Sequence, residues 1–329
     1  MKEALYYKKL DLQKVQCFLC PHHCVIAPDK SGLCMVRRNL EGILYATEYS
    51  KTIAVNNDPI EKKPLYHFHP GKMLLSIGPN GCNFACNNCQ NWEISQKPAP
   101  TQTLTPEQAV AVTKRAGSIG ISYTYTEPLV WFEYVLDTAK LARQEGLVNV
   151  LVSNGYIEPE PYEELLPWID AVNIDVKSMR EDFYKEIVHG TLAPVLKTCQ
   201  LSYGRIHLEV TNLVIPTLND SPEDFNLLAD WIHDTLGPDV PLHFSRYFPA
   251  YKATQPPTPP GTLMKARDLA MKKLHYVYVG NIWGMDYNST ICPSCKKKVI
   301  VRDGYTVSKI EVKGGKCIHC GGEVKVVGV

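Results

Sequence analysis

Eleven of the twelve cysteines in this 329-residue chain fall into three tight groups, and that grouping constrains the fold more than any other feature. Cys17, Cys20, Cys24 and Cys34 form the first group, Cys82, Cys86 and Cys89 the second, and Cys292, Cys295, Cys317 and Cys320 the third. Disulfide frameworks belong to small, loop-rich, secreted domains, which this chain does not resemble in size. A group of three thiols also cannot pair within itself. Clustered thiols in a reducing compartment are better explained as metal ligands. Cys199 stands alone and reads as a buried or incidental thiol.

Charge narrows the partners. With 35 Lys+Arg against 34 Asp+Glu, the balance argues against nucleic acid or an anionic membrane surface as partner. The longest apolar runs, such as Met73-Leu74-Leu75 and Val150-Leu151-Val152, fall far short of the ~20 residues of a membrane span. Met1 to Lys14 is rich in Lys and Tyr and lacks the apolar stretch of a secretory signal. The expectation is a soluble, cytoplasmic protein with no membrane association.

Three regions are expected: a Cys-rich metal-binding segment over 1–71, a catalytic-sized middle over 72–287, and a Cys/Gly/Lys-rich tail over 288–329. The first ends in the run Pro64-Leu65-Tyr66-His67-Phe68-His69-Pro70-Gly71. In the middle, strands are predicted at Lys72–Gly78, Ile119–Tyr125, Asn149–Ser153, Ala171–Val176, His207–Ile215 and Pro241–Tyr247, where apolar residues fill both alternating positions. Helical signals lie between them. Thr105-Pro106-Glu107-Gln108 supplies a cap, a first-turn proline and a capping-box glutamine, and Ser221-Pro222-Glu223-Asp224 opens a helix that Gly237 closes. Leu129 to Gln144 and Thr262 to Leu274 have helix-compatible spacing.

Strands alternating with helices imply βαβ units and a parallel sheet, either doubly wound or a partial (β/α)6 barrel. Polar residues follow successive strands: the cysteine triplet, Thr126-Glu127-Pro128, Ser153-Asn154-Gly155, Asp175 and Lys177, Thr211, and Arg246. In a barrel these strand ends converge on one mouth, whereas in an open doubly wound sheet the outer ones could not meet. No glycine-rich phosphate loop follows the first strand. The barrel is therefore the predicted architecture.

Gly81-Cys82-Asn83-Phe84-Ala85-Cys86-Asn87-Asn88-Cys89-Gln90-Asn91-Trp92 is the most informative stretch. Three thiolates at C-x3-C-x2-C spacing can hold three irons of a cubane cluster and leave the fourth without a protein ligand. The same spacing also admits a zinc site, or a cluster completed by a distant ligand.

This motif, on the loop after the first predicted barrel strand, resembles the signature of the radical S-adenosylmethionine (radical SAM) superfamily. The resemblance extends over roughly 72–250 and is closest to the branch that contains the activating enzymes of glycyl-radical enzymes. Cys20-Pro21-His22-x-Cys24, Glu61 to Phe68, Tyr278-Val279-Gly280-Asn281 and the C-terminal pair of C-x2-C motifs make the whole chain similar to the AmmeMemoRadiSam-system radical SAM proteins. The resemblance implies a [4Fe-4S] cluster at Cys82, Cys86 and Cys89 and S-adenosylmethionine (SAM) as its partner. It implies one-electron cleavage of the sulfonium to methionine and a 5′-deoxyadenosyl radical, which takes a hydrogen atom from substrate. A reductant such as a flavodoxin or ferredoxin is implied as electron donor, and a protein substrate is one outcome of the activase lineage.

Residue by residue, Thr126-Glu127-Pro128 is similar to the family's Gly-Gly-Glu-Pro segment, which receives the SAM amine, with Tyr125 and Thr126 in place of the glycines. Ser153 and Asn154 match a segment beside SAM, but Val152 stands where that segment has the Asp of a cation site. The resemblance assigns Asp175 and Lys177 to SAM's ribose and carboxylate; alternation along one strand puts both on one face, where they could equally form an ion pair. Thr211 and Arg246 complete the expected cofactor contacts. Asn88 occupies the position before the last cysteine where the family carries an aromatic, so Phe84 or Trp92 would shield the cluster instead.

The flanking groups read differently. Cys292-Pro293-Ser294-Cys295 and Cys317-Ile318-His319-Cys320, joined by short apolar stretches, form a zinc-ribbon-like pattern with a closed four-thiolate site. Cys17-x2-Cys20-x3-Cys24-x9-Cys34 could hold zinc or an auxiliary iron–sulfur cluster, and spacing does not separate these. Two kinds of function follow. One is a radical SAM enzyme acting on a protein, or on a small molecule or modified peptide. The other is a metal-stabilised module that binds RNA or protein, with zinc at all three groups.

Overall fold

The computed structural model describes residues 1–282 and 287–329. Its centre is an eight-stranded sheet made of β1 (Ala54–Pro59), β2 (Met73–Gly78), β3 (Gly120–Tyr123), β4 (Val148–Ser153), β5 (Ala171–Asp175), β6 (His207–Val214), β7 (Leu242–Arg246) and β8 (Val277–Gly280), in that spatial order. Strands β2 to β8 are parallel, and β1 runs antiparallel along the edge of β2. A helix of seven or more residues follows each of the first six parallel strands: α1 (Pro106–Arg115), α2 (Phe132–Gln144), α3 (Pro159–Leu165), α4 (Leu192–Ser202), α5 (Pro222–Leu236) and α6 (Pro260–Ala270).

Sequential strand order decides the architecture. Right-handed crossovers repeated in one direction put every helix on the same face, whereas a doubly wound sheet must reverse direction at a switch point. The chain never reverses, so the sheet curls as a partial (β/α)6 barrel with one further strand. All six expected strands are present. The seventh parallel strand, β8, Val-Tyr-Val-Gly, lies outside the predicted set. Edge strand β1 belongs to the Cys-rich first segment, yet it is paired with β2 over six residues.

The two helices with strong start signals form as expected. Thr105 and Ser221 each accept a hydrogen bond from the backbone three residues on, and Gln108 and Asp224 reach back to close capping boxes. Their apolar faces join one large core with the outward residues of the sheet, among them Leu75, Ile121, Leu151, Val172, Val210 and Phe244. Cys199 lies in this core within α4, fully buried.

The inward face differs from the both-faces-apolar pattern expected of these strands. Register places Ser122, Asn173, Glu209, His243 and Tyr278 in or near one lumen tier, and all are buried. The base of the lumen is filled by the first segment, where Ile60, Leu65 and Phe68 pack against Leu74, Val150 and Ala171. Pro64 O accepts from Asn173 Nδ2 at 2.8 Å, and the His67 amide donates to Glu209 at 2.7 Å. The Glu61–Phe68 run is thus the plug of the barrel.

The tail forms a separate three-stranded sheet, Thr290–Ile291, Lys298–Asp303 and Thr306–Ile310. It docks through Arg302, whose guanidinium donates to Tyr66 O at 2.6 Å and Thr290 Oγ1 at 2.8 Å and faces Glu61 at 3.4 Å. Neither side chain of that ion pair is exposed. Removing one partner strands a buried charge, so Arg302→Ala is expected to lower stability by about 3–5 kcal/mol in urea unfolding. A midpoint unchanged from wild type would show that the plug and the tail are not coupled through this pair.

Candidate active site

At the carboxyl ends of the parallel strands lies a cavity of about 450 Å³. Its walls include Cys82, Cys86 and Cys89, then Thr126, Ser153, Asn154, Asp175, Lys177 and Thr211. Residues spread over some 130 positions of sequence are brought to one mouth, as the barrel requires.

The cysteine loop is held by its backbone. Gly81, at φ +85°, turns the chain out of the sheet, and a Cβ there would collide with the Cys34 carbonyl. The Phe84 amide donates to Cys82 Sγ at 3.3 Å, Asn154 Nδ2 lies 3.6 Å from the same sulfur, and Cys89 Sγ is 3.2 Å from Ser95 Oγ. Burial, reinforced by the Glu127 charge, pushes the Cys82 thiol well up, and burial lifts Cys86 to about 11 against the lowering pull of Lys177. These two become thiolates only as a metal takes the place of their protons.

Asp175 and Lys177 form an ion pair at 2.6 Å on the cavity wall, so the alternative of an internal salt bridge is realised at the expected place. Burial pulls Lys177 down, but the Asp175 charge more than offsets it and leaves the ammonium firmly protonated. Thr211 Oγ1 also lines the cavity and has no hydrogen-bond partner among the described residues. A zwitterionic ligand with polar oxygens fits this donor set, and three thiols on one loop fit a cluster with an open iron.

Two expected contacts are placed otherwise. Glu127 is fully buried behind the wall: one carboxylate oxygen accepts from Ser153 Oγ at 2.8 Å and Leu129 N at 2.9 Å, the other from Asn154 N at 2.7 Å. It ties the β3 and β4 ends together and caps the following turn, so its part is positioning. Arg246 turns away, donating to Thr258 O at 2.9 Å and covering the Phe248 ring. Strand alternation explains this, since Ser245 takes the cavity-facing position. Trp92 stacks on Tyr251 at 5.2 Å, while Phe84 reaches the cavity wall and packs on Tyr156.

Tyr125, Lys62, Lys63, Asn91 and Tyr305 also line the mouth, beyond the residues expected there. Tyr125 takes φ +75°, a left-handed value unusual for a bulky residue and the very conformation a glycine would offer. It is held by Asn91 on its carbonyl at 2.5 Å, by Asp58 at 3.1 Å on its hydroxyl, and by Lys63 above its ring. The signal available in sequence is the Glu61-Lys62-Lys63 run, but nothing local says that it lies opposite the cysteine loop.

The flanking groups gather differently. Cys292, Cys295, Cys317 and Cys320 place four sulfurs within 4.8 Å of one another, a group that could hold one metal ion. Cys17, Cys20, Cys24 and Cys34 line a small cavity behind Asn83.

The family described as Radical SAM superfamily matches residues 76–232. The uncharacterized protein MJ0808 of Methanocaldococcus jannaschii is 45% identical over 335 residues, covering 99% of this chain and 100% of that protein. A pyruvate formate-lyase-activating enzyme of Clostridium pasteurianum is 28% identical over 165 residues, 46% of this chain and 66% of the relative. Among solved structures, a radical SAM methyltransferase from Sphaerobacter thermophilus superposes with TM-score 0.52 at 14% identity, over 64% of this chain and 67% of that one.

Glu127 yields a pH test. Burial pushes its carboxyl up to about 7 in the folded protein, despite three donors that lower it. The unfolded chain releases this proton in the ordinary carboxylate range, so between the two values the folded state holds more protons and stability falls as pH rises. The fall is expected to reach about 3 kcal/mol. Glu127→Gln does not titrate and is expected to lack it; parallel pH slopes in urea unfolding of both proteins would contradict the assignment.

Proposed function

We propose that this chain, which belongs to the radical SAM superfamily, reductively cleaves SAM to a 5′-deoxyadenosyl radical that abstracts a hydrogen atom from a substrate. The observation that carries this reading is the meeting of Cys82, Cys86 and Cys89 with Asp175 and Lys177 around one cavity at the barrel mouth. Cys82, Cys86 and Cys89 would hold a [4Fe-4S] cluster, which would supply the electron for that cleavage. Asp175 and Lys177 orient a charged ligand, Asn154 and the Phe84 amide donate toward Cys82 Sγ, and Glu127 holds the Ser153–Asn154 turn against the loop. Phe84 and the Lys63-covered Tyr125 ring limit water at the wall. A low-potential carrier such as a flavodoxin or ferredoxin would deliver the electron.

The relatives named as activating enzymes, matched over 46% and 38% of this chain, support a protein substrate. A second reading, a small molecule or modified peptide held inside the barrel, is favoured by a specific feature. A further cavity of about 190 Å³, lined by Tyr66, His243 and Asn281, shares Thr211, Ser245 and Tyr305 with the main one. In the tail, zinc suits the four thiols: Cys292 and Cys320 sulfurs are 3.7 Å apart and those of Cys295 and Cys317 3.8 Å. A tetrahedron of Zn–S bonds of about 2.3 Å has edges of about 3.8 Å.

Anaerobic protein reconstituted with iron and sulfide, then given dithionite and SAM, is expected to release 5′-deoxyadenosine on chromatography. Cys86→Ala is expected to release none, and Lys177→Ala to be slowed about 10–100-fold, the value of a charged hydrogen bond. Absence of product from loaded wild type would overturn the proposal. Oxygen exposure after incubation with a candidate protein substrate, followed by mass spectrometry, separates the two substrate readings through cleavage at a glycine.

A further inference from the structure

The first cysteine group has a geometry unlike that of the tail. Cys17 ends the short strand Val15–Cys17, Cys20 and Cys24 lie between it and the strand Val25–Ile26, Cys34 follows that second strand, and all four line one small cavity. Apart from the thiols, that cavity is lined mainly by apolar groups: Leu19, Ile26, Leu33 and Val130. Both neighbouring imidazoles have other partners. His22 Nε2 donates to Asn83 O at 2.7 Å, and His23 pairs with Glu158 at 2.8 Å. The four thiols are therefore the ligand set.

Spacing separates the two metal classes. A single tetrahedral ion draws its four sulfurs within about 3.8 Å of one another, as the tail group does. Among the described residues, only the tail group gathers its donor atoms within 4.8 Å. The first group stays spread around its cavity. A cubane binds each thiolate through a different iron, so its ligands occupy the corners of a larger tetrahedron.

Arg37 supplies an independent observation. It is 2% exposed and lines the same cavity; its two terminal nitrogens bond Glu133 and Leu5 O, but its Nε has no partner among the described residues. A buried N–H without an acceptor is costly. Metal-bound thiolates, or the bridging sulfides of a cluster, would supply the acceptor, so the unpartnered Nε points to a sulfur-ligated centre in this cavity.

We infer that Cys17, Cys20, Cys24 and Cys34 hold a second, closed [4Fe-4S] cluster rather than zinc. It lies directly behind the first: the Cys34 carbonyl abuts Gly81, Asn83 lines its cavity, and Asn154 links Asn83 Oδ1 at 2.8 Å to the neighbourhood of Cys82 Sγ. With all four irons ligated by protein, this centre offers no site to substrate.

The test uses the full chain with Cys82, Cys86 and Cys89 all replaced by Ala, loaded anaerobically with ferrous iron and sulfide in the presence of zinc. About four irons and four sulfides per chain should remain, beside one zinc. Adding Cys17→Ser, or separately Cys34→Ser, should remove that iron while the tail zinc stays. An iron-free triple variant carrying two zinc ions would overturn the inference, as would iron that persists in both serine variants. Should the serine variants not fold, a fall from about eight irons in wild type to about four in the triple variant supports the same assignment, and a fall to none overturns it. Wild type that binds eight irons yet yields no 5′-deoxyadenosine would refute the proposed activity and leave this cluster standing.

Discussion

A parallel sheet that curls with every helix on its convex side must fill its concave side with something, and this requirement organises the protein. The lumen tier is polar, built from Ser122, Asn173, Glu209, His243 and Tyr278. Left to water at the base, it would open a channel through the barrel. The Glu61–Phe68 plug meets Asn173 and Glu209 with backbone groups, and its apolar residues close the floor. Arg302 then locks the plug from outside through Glu61. One side of the lumen is sealed, and all chemistry is confined to the other.

The sealed end also orders the charges around Glu209. Its carboxylate sits between His207 at 2.9 Å and His243 at 2.6 Å, which hold it well below the ordinary carboxylate range in spite of burial. His67, by contrast, is pushed down to about 3 by burial and is neutral, bridging Tyr278 and the Lys325 carbonyl. Glu209, His67 and His243 all find partners within this network, although Ser122 Oγ and Asn173 Oδ1 in the same lumen have none among the described residues. What the mouth has and the base lacks is an accessible ion pair beside three thiols.

Much of this architecture is legible in the sequence. The capping boxes at Thr105 and Ser221 act through neighbours three residues away, so local sequence suffices to place α1 and α5. The six predicted strands show as apolar runs because they are buried on the helix side. Strand β8 and helices α3 and α4 lie outside the predicted elements, and neither helix is opened by a side-chain cap. Arg246 shows the limit for site residues, since a polar strand end can face either way and a one-residue step decides which. Glu127 shows another, because a carboxylate that positions two strand ends looks in sequence like one that meets a ligand.

The cysteine spacings alone determined where metals would be sought, since ligand number and interval are set by covalent distance along one loop. Strand and helix alternation likewise determined the class of fold. Tertiary structure decided which residues stand opposite one another: that Lys63 and Tyr305, some 240 positions apart, face the same cavity, and that the first and second cysteine groups share a wall at Gly81. Those relations come from chain closure over long separations, and no local pattern encodes them.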